Sequence, residues 1–146
     1  MKLFQRNKRV SLLPKLINAQ VLIPVLLMTT LLTGCQETLE ERGAREAHDY
    51  TEKHCPAPVA PQVTLDSMTF DKVSHTFSYC YTLSGALDDL QYIETNNPRD
   101  MLLQQVKNSA NLKIYKEAGY NFRYVYNSSK NKATLFDVTF KQSDYE

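Results

Sequence analysis

The sequence predicts an α+β fold in which an N-terminal helix precedes a β-β-α-β-β arrangement. Residues 36–54 are rich in helix-forming side chains, with acids early and bases late, as the helix dipole favours. Beyond residue 61, four segments alternate apolar and polar side chains with a period of two, as β-strands do. A segment with a helical pattern lies between the second and the third of these strands. Two hairpins joined by a helical crossover predict a four-stranded antiparallel sheet with helices packed mainly on one face.

The first helix is predicted from about residue 38 to residue 54. Its apolar positions are sparse, so we expect it to contact the domain along a thin stripe, with a solvated tether as the alternative for its first half. These positions are Leu39, Ala44, Ala47 and Tyr50. Gly43 weakens the middle of this helix. Pro56, Pro58 and Pro61 then end it and force extended backbone.

Four strands are predicted, at residues 62–70, 75–83, 120–127 and 132–141. In the second strand one face carries Phe77, Tyr79, Tyr81 and Leu83, and the other carries Ser78, Cys80 and Thr82. The third strand aligns Tyr120, Phe122, Tyr124 and Tyr126, and the fourth aligns Phe136, Val138 and Phe140. An aromatic face of this size can supply the core of one small domain.

The segment between the two strand pairs predicts the crossover helix. Residues 87–97 are interpreted as a loop or a short extended piece. Asn97 and Pro98 then predict the N-cap and the first helical residue, and Gly119 predicts the end. Met101, Leu102, Val106 and Leu112 would form the apolar face of this segment. Asn108-Ser109 is a point at which it could divide into two shorter helices.

Charge is distributed unevenly along the chain. Residues 1–34 carry five basic side chains and no acid, which leaves 12 basic and 16 acidic side chains in the remainder. The remainder therefore has a net charge of about −4, a pattern that argues against nucleic acid as a partner. A basic head joined to an acidic body is typical of an exported protein.

The basic head is followed by an apolar stretch, Val21–Leu32, that is too short for a membrane span of about 20 residues. These features predict a signal peptide. The stretch ends in Leu32-Thr33-Gly34-Cys35, which resembles the lipobox of bacterial lipoproteins. That resemblance implies cleavage between Gly34 and Cys35 and acylation of Cys35, which would anchor the protein to the lipid bilayer.

The predicted organisation is a signal peptide at 1–34, a lipidated N-terminus with helix and Pro-rich linker at 35–61, and an α+β domain at 62–146. Gln36, by resemblance to the lipoprotein sorting rule of enterobacteria, implies the outer membrane. The protein would face the periplasm, or the cell surface if the acids at Glu37, Glu40 and Glu41 act as an export signal.

Once Cys35 is acylated, Cys55 and Cys80 are the two remaining thiols. An even remainder in an oxidising compartment predicts a Cys55–Cys80 disulfide, which would join the end of the first helix to the second strand. Two separate thiols are the alternative, because Cys80 lies on the face opposite the aromatic side chains.

No catalytic or cofactor motif is found in the sequence. A metal site built from His54, Cys55 and His75 is less consistent with the sequence than solvated histidines beside turns, and His48 and His54 lack the spacing of paired helix ligands. Asp88-Asp89 is interpreted as a solvated turn. The sequence therefore predicts a non-enzymatic protein without metal or cofactor, with a small envelope hydrolase or metal-dependent enzyme as the alternative.

The strand tyrosines are interpreted as core residues, or alternatively as an aromatic surface that engages an envelope protein or glycan. The segments Thr64–Gly85, Leu112–Gly119 and Phe122–Tyr126 resemble small uncharacterised exported lipoproteins of Gram-negative bacteria. That resemblance implies an α+β fold and supplies no catalytic residue. We expect a membrane-anchored binding or accessory domain.

Overall fold

The computed structural model describes residues 37–146, which form one compact unit. Its helices are α1 (Leu39–His54), α2 (Leu90–Asn96), α3 (Arg99–Asn108), α4 (Lys113–Glu117) and α5 (Gln142–Tyr145). Its strands are β1 (Ala57–Ala60), β2 (Val63–Asp71), β3 (Thr76–Leu83), β4 (Asn121–Ser128) and β5 (Thr134–Phe140). None of these helices combines the length and hydropathy that a bilayer crossing requires. The predicted α+β class is confirmed.

The sheet has five strands in the order β1-β2-β3-β4-β5, and β3 and β4 run parallel. The prediction of four strands in an antiparallel sheet was wrong in both respects. The segment between β3 and β4 returns the chain to the end where β3 begins, so β4 pairs beside β3 in the same direction. The missed strand, β1, lies in the proline-rich stretch and pairs antiparallel with β2. It was not predicted because the prolines interrupt the alternation of apolar and polar residues that identifies a strand.

Helix α1 begins where the sequence predicted and docks through small residues. Thr38 Oγ1 accepts a hydrogen bond from the Glu41 backbone N–H, and Glu41 accepts one from the Thr38 N–H, which forms a capping box. Gly43 and Ala47, one turn apart, are buried against the sheet. A Cβ at Gly43 would lie 3.1 Å from Phe77, so the glycine permits the close approach of α1.

The crossover contains a short 3-10 helix (Gly85–Leu87) and three α-helices rather than one helix. The interpretation of residues 87–97 as a loop was wrong, because the Asp89 carboxylate accepts a hydrogen bond from the Tyr92 N–H and caps α2. The division at Asn108-Ser109 is confirmed, since α3 ends there. After α4, Gly119 takes a positive φ of 75° and its N–H bonds to Lys116, as predicted for a helix C-terminus.

The core lies between the aromatic face of the sheet and helices α1, α3, α4 and α5. Its most deeply buried side chains are Phe122, Phe140, Leu102 and Val106. Aligned residues of neighbouring strands stack across the sheet, as in Phe77 with Phe122 and Tyr79 with Tyr124. The predicted apolar face of α3 is confirmed at Leu102 and Val106, but Met101 is exposed.

Candidate functional site

The predicted lipidation and cleavage sites, Cys35 and Gly34, lie outside the described residues. Cys55 and Cys80 are both half-buried and are free thiols in the structure. Burial raises the pKa of Cys55, so less of it is present as the thiolate at neutral pH. Because the two thiols are separate in this structure, the Cys55–Cys80 disulfide stays a prediction.

The histidines do not converge on a metal site. The His75 ring stacks on Tyr120, and its Nε2 lies 3.7 Å from Glu40 near the start of α1. The His54 ring contacts the Tyr50 ring at a tilt of 46° at the end of the same helix, about 20 Å further along at 1.5 Å per residue. Within residues 37–146, no three His, Cys, Asp or Glu side chains are grouped closely enough to hold a metal ion.

The Asp88-Asp89 pair was misread as a solvated turn. Asp88 is only 4% exposed, and its Oδ2 accepts hydrogen bonds from the Ser129 N–H and hydroxyl and from the Lys130 N–H. Hydrogen bonds from the Ser128 and Ser129 side chains lower the pKa of Asp88. The two carboxylates thus have separate structural roles, since Asp88 fixes the β4–β5 turn and Asp89 caps α2.

The tyrosines of β3 and β4 form a stacked ladder, which we define as Tyr79, Tyr81, Tyr124 and Tyr126. Tyr79 stacks on Tyr124 at 5.1 Å between ring centroids, and Tyr81 stacks on Tyr126 at 4.7 Å. Burial raises the pKa of Tyr81 to about 12 and raises those of the other three phenols further. Core packing therefore accounts for Tyr79 and Tyr124 at one end of the ladder. At the other end, Tyr81 and Tyr126 line a groove.

This groove has a volume of about 510 Å³. Its floor consists of Tyr81, Leu83 and Tyr126, and its walls are β1 with the start of β2 on one side and α2 with α3 on the other. The full lining is Val59, Ala60, Val63, Tyr81, Leu83, Leu87, Tyr92, Ile93, Asn96, Asn97, Pro98, Met101, Leu102, Gln105 and Tyr126. No lining residue carries a charge, so the groove suits an apolar guest with a few hydrogen-bonding groups.

Exposed apolar side chains mark the groove rim. Met101 is 58% exposed, Val59 51% and Tyr92 44%, and they stand on three different elements around the opening. Single exposed apolar residues are common on protein surfaces, but here three of them lie around one apolar groove. Sequence reasoning missed this site, because Met101 was assigned to the core and β1 was not predicted.

The groove lies at the end of the sheet opposite the start of α1. The Tyr120 hydroxyl, just before β4, donates a 3.0 Å hydrogen bond to Glu40, which places the first turn of α1 where β3 and β4 begin. The groove is lined instead by Leu83 and Tyr126, at or near the ends of those parallel strands. Strands of this length separate the two ends by about 23 Å at 3.3 Å per residue.

A family model described as a domain of unknown function (DUF8479) matches residues 38–136, which span α1 to β5. The chain belongs to this family. The matched DUF8479 region includes every residue that lines the groove. No curated protein matches the sequence.

Two solved structures share the fold of this DUF8479 chain. A secreted protein from Pseudomonas aeruginosa superposes with a TM-score of 0.59 at 9% identity, covering 76% of this chain and all of that one. EpsS, the pilotin of the Vibrio vulnificus type 2 secretion system, superposes with a TM-score of 0.57 at 10% identity, covering 74% of this chain and 92% of that one. At such identities the likeness shows the fold alone.

Proposed function

We propose that this protein is a lipoprotein of the bacterial cell envelope, held in the outer membrane by acylated Cys35, and that it acts as a non-enzymatic accessory domain. Its groove would bind an apolar segment of another envelope protein. The observation that carries this proposal is the uncharged groove with Val59, Tyr92 and Met101 exposed at its rim. The shared fold with a pilotin, an accessory protein of a secretion system, supports it.

The anchor supplies the first part of the proposal. Removal of residues 1–34 would leave Cys35 as the first residue, only four positions before the start of α1. Each buried methylene of an acyl chain contributes about 0.8 kcal/mol to membrane binding, so two or three chains hold a protein firmly. A tether this short would keep the start of α1 near the bilayer.

The anchor also sets the direction in which the groove opens. Because α1 begins at one end of the sheet and the groove lies at the other, the groove would stand away from the lipid surface. In that position it is accessible to segments of other envelope proteins. This geometry favours a protein guest over the surrounding lipid.

The anchor is tested by labelling cells with a fatty-acid analogue and separating their membranes. The wild-type protein should be labelled and should sediment with outer membranes, whereas Cys35→Ser should lose both the label and membrane retention. Unchanged retention of Cys35→Ser would contradict the anchor. The same preparations test the disulfide, since a formed bridge leaves Cys55 and Cys80 unreactive toward a thiol reagent until a reductant is added.

The groove is tested by comparing two substitutions of exposed apolar residues. Met101→Lys places a charge at the groove rim, and Val73→Lys places the same charge in the β2–β3 turn, where Val73 is 93% exposed. Affinity purification of the lipidated protein should recover an envelope protein with wild type and Val73→Lys but lose it with Met101→Lys. Equal recovery with all three proteins would contradict binding in the groove.

A further inference from the structure

We propose that the groove selects a helical segment whose apolar face is flanked by lysine or arginine residues. This inference rests on the proposed function and specifies the chemistry of the partner. Three observations support it: the apolar lining, the proline-interrupted edge strand, and the acidic side chains on or beside the two helices of one wall.

The apolar lining calls for a guest with several apolar side chains on one face. A volume of about 510 Å³ falls within the range of roughly 300–1,000 Å³ for sites that bury a compact ligand. An amphipathic helix presents such a face through side chains three and four residues apart. Asn96, Asn97 and Gln105 in the lining can hydrogen-bond polar groups beside that face.

The edge strand β1 disfavours a guest that adds to the sheet as a strand. Pro58 in β1 and Pro61 just after it have no backbone N–H, and the register with β2 shifts between Pro58 and Ala60. An added strand would find few evenly spaced hydrogen-bonding groups along only four residues. A guest that satisfies its own backbone hydrogen bonds, as a helix does, avoids this problem.

The charges on the helical wall favour a basic guest. Asp89, Glu94 and Asp100 are exposed on or beside α2 and α3. Two basic residues belong to α3. Arg99 bonds Asp144 at 3.2 Å, lies 3.9 Å from Asp100 and covers the Phe140 ring, so its charge is compensated. Lys107 is exposed in the last turn of α3, which leaves one uncompensated base against three exposed acids. The wall therefore presents net negative charge next to an uncharged groove, which attracts and orients a guest with basic flanks.

The test uses synthetic peptides with a single tryptophan on the apolar face. The protein contains no tryptophan, so the fluorescence anisotropy of that residue reports binding directly. A basic peptide has leucines at helical spacing flanked by lysines; a second has glutamates in place of the lysines; a third keeps the lysines and scrambles the leucines. Each is titrated with the lipidated protein in neutral-lipid nanodiscs, and empty nanodiscs are the blank.

The basic amphipathic peptide should bind at least about fivefold more tightly than its acidic counterpart at low salt, with the difference shrinking as salt screens the charges. The double variant Glu94→Gln/Asp100→Asn should remove most of this preference. Its matched control, Glu52→Gln/Glu117→Gln, neutralises two exposed acids on α1 and α4 and should retain it. Met101→Lys should weaken binding of the basic peptide, whereas Val73→Lys should not.

Several results would overturn this inference. Equal affinity for basic and acidic peptides, combined with a loss of both in Met101→Lys, would leave the groove as a docking site and remove the basic preference. If the scrambled peptide bound as tightly as the amphipathic one, charge attraction alone would account for binding and the groove would play no part. Displacement by a palmitoylated Cys35–Thr38 peptide would assign the groove to the protein's own lipid. Absence of binding by every peptide would also overturn the inference, while the purification test of Met101→Lys would decide the proposed function separately.

Discussion

The side chain of Thr51 makes two hydrogen bonds to the backbone of Met68. Its Oγ1 donates to the Met68 carbonyl at 2.7 Å and accepts from the Met68 N–H at 2.8 Å. The paired residues of β1 and β2 end at Leu65, so Met68 lies on the part of β2 that β1 does not cover. One helical side chain thus completes the hydrogen bonding of the exposed strand edge and fixes α1 against it.

Replacement of Thr51 should therefore destabilise the protein more than replacement of an ordinary surface threonine would. Thr51→Val keeps the shape of the side chain but leaves the Met68 N–H and carbonyl without partners, which should lower the free energy of unfolding by about 2 kcal/mol. Denaturant unfolding followed by circular dichroism measures this change. Thr95→Val, on the exposed side of α2, is the control and should change stability by less than about 0.5 kcal/mol. Equal effects of the two substitutions would contradict the role of Thr51.

Asp88 should make stability depend on pH in the acidic range. Its pKa in the folded protein lies below the ordinary 3.8, so its contribution is present above pH 3.8 and is lost as the pH falls through the folded pKa. Asp88→Asn removes the charge and should lower the unfolding midpoint at neutral pH, with a difference from wild type that shrinks on acidification. Asp89→Asn is the control, because asparagine caps a helix as well as aspartate does. A pH-independent difference for Asp88→Asn would contradict this account.

Gly43 should resist replacement by alanine even though it lies in a helix. Alanine favours the helix by about 1 kcal/mol, but its Cβ would lie 3.1 Å from Phe77, a ring that is itself buried. We expect Gly43→Ala to lower the free energy of unfolding by about 1 kcal/mol, because overpacking costs more than the helix gains. In a Phe77→Leu background the same change should stabilise the protein. A stabilising effect of Gly43→Ala in the wild-type background would refute the close-approach role.

The tyrosine ladder should make the protein sensitive to alkaline pH. The Tyr81 phenol has an ordinary pKa of 10 and a folded pKa of about 12, so its contribution is complete below pH 10 and is lost between pH 10 and about pH 12. Phenolate absorbance should therefore rise together with loss of the folded circular-dichroism signal. Tyr126→Phe removes one buried phenol and should reduce this loss, whereas Tyr92→Phe at the exposed rim should not. Ionisation of every tyrosine near pH 10 with the fold intact would contradict the ladder's burial.

The sequence predicted those elements that local pattern determines. Residues 36–54 are rich in helix formers, with acids early and bases late, and Phe77 and Phe122 lie in segments that alternate clearly. The helix and these strands were therefore found close to their observed bounds. Alternation shows which face a side chain occupies but does not show which strand lies beside it. The parallel pairing of β3 with β4 was therefore missed.

The groove was beyond sequence reasoning because its residues come from separate segments. Val59 lies in a strand that prolines obscure, and Met101 belongs to a helix whose apolar face is wider than the core it meets. Adjacent Asp88 and Asp89 also looked alike in sequence, although one is buried and the other caps a helix. The strand tyrosines were the sequence signal that pointed toward this site, because Tyr81 and Tyr126 pack against the core and also line the groove.

Binding of an envelope-protein segment in the groove can be measured by site-specific photo-cross-linking in the living bacterium. A photoreactive amino acid replaces Met101 at the groove rim or, as the control, Val73 at the other end of the sheet. We expect one reproducible adduct with an envelope protein from position 101 and none from position 73, and loss of the adduct when Cys35→Ser releases the protein from the membrane. Adducts from position 73 equal to those from position 101, or the absence of any adduct at position 101, would contradict binding in the groove.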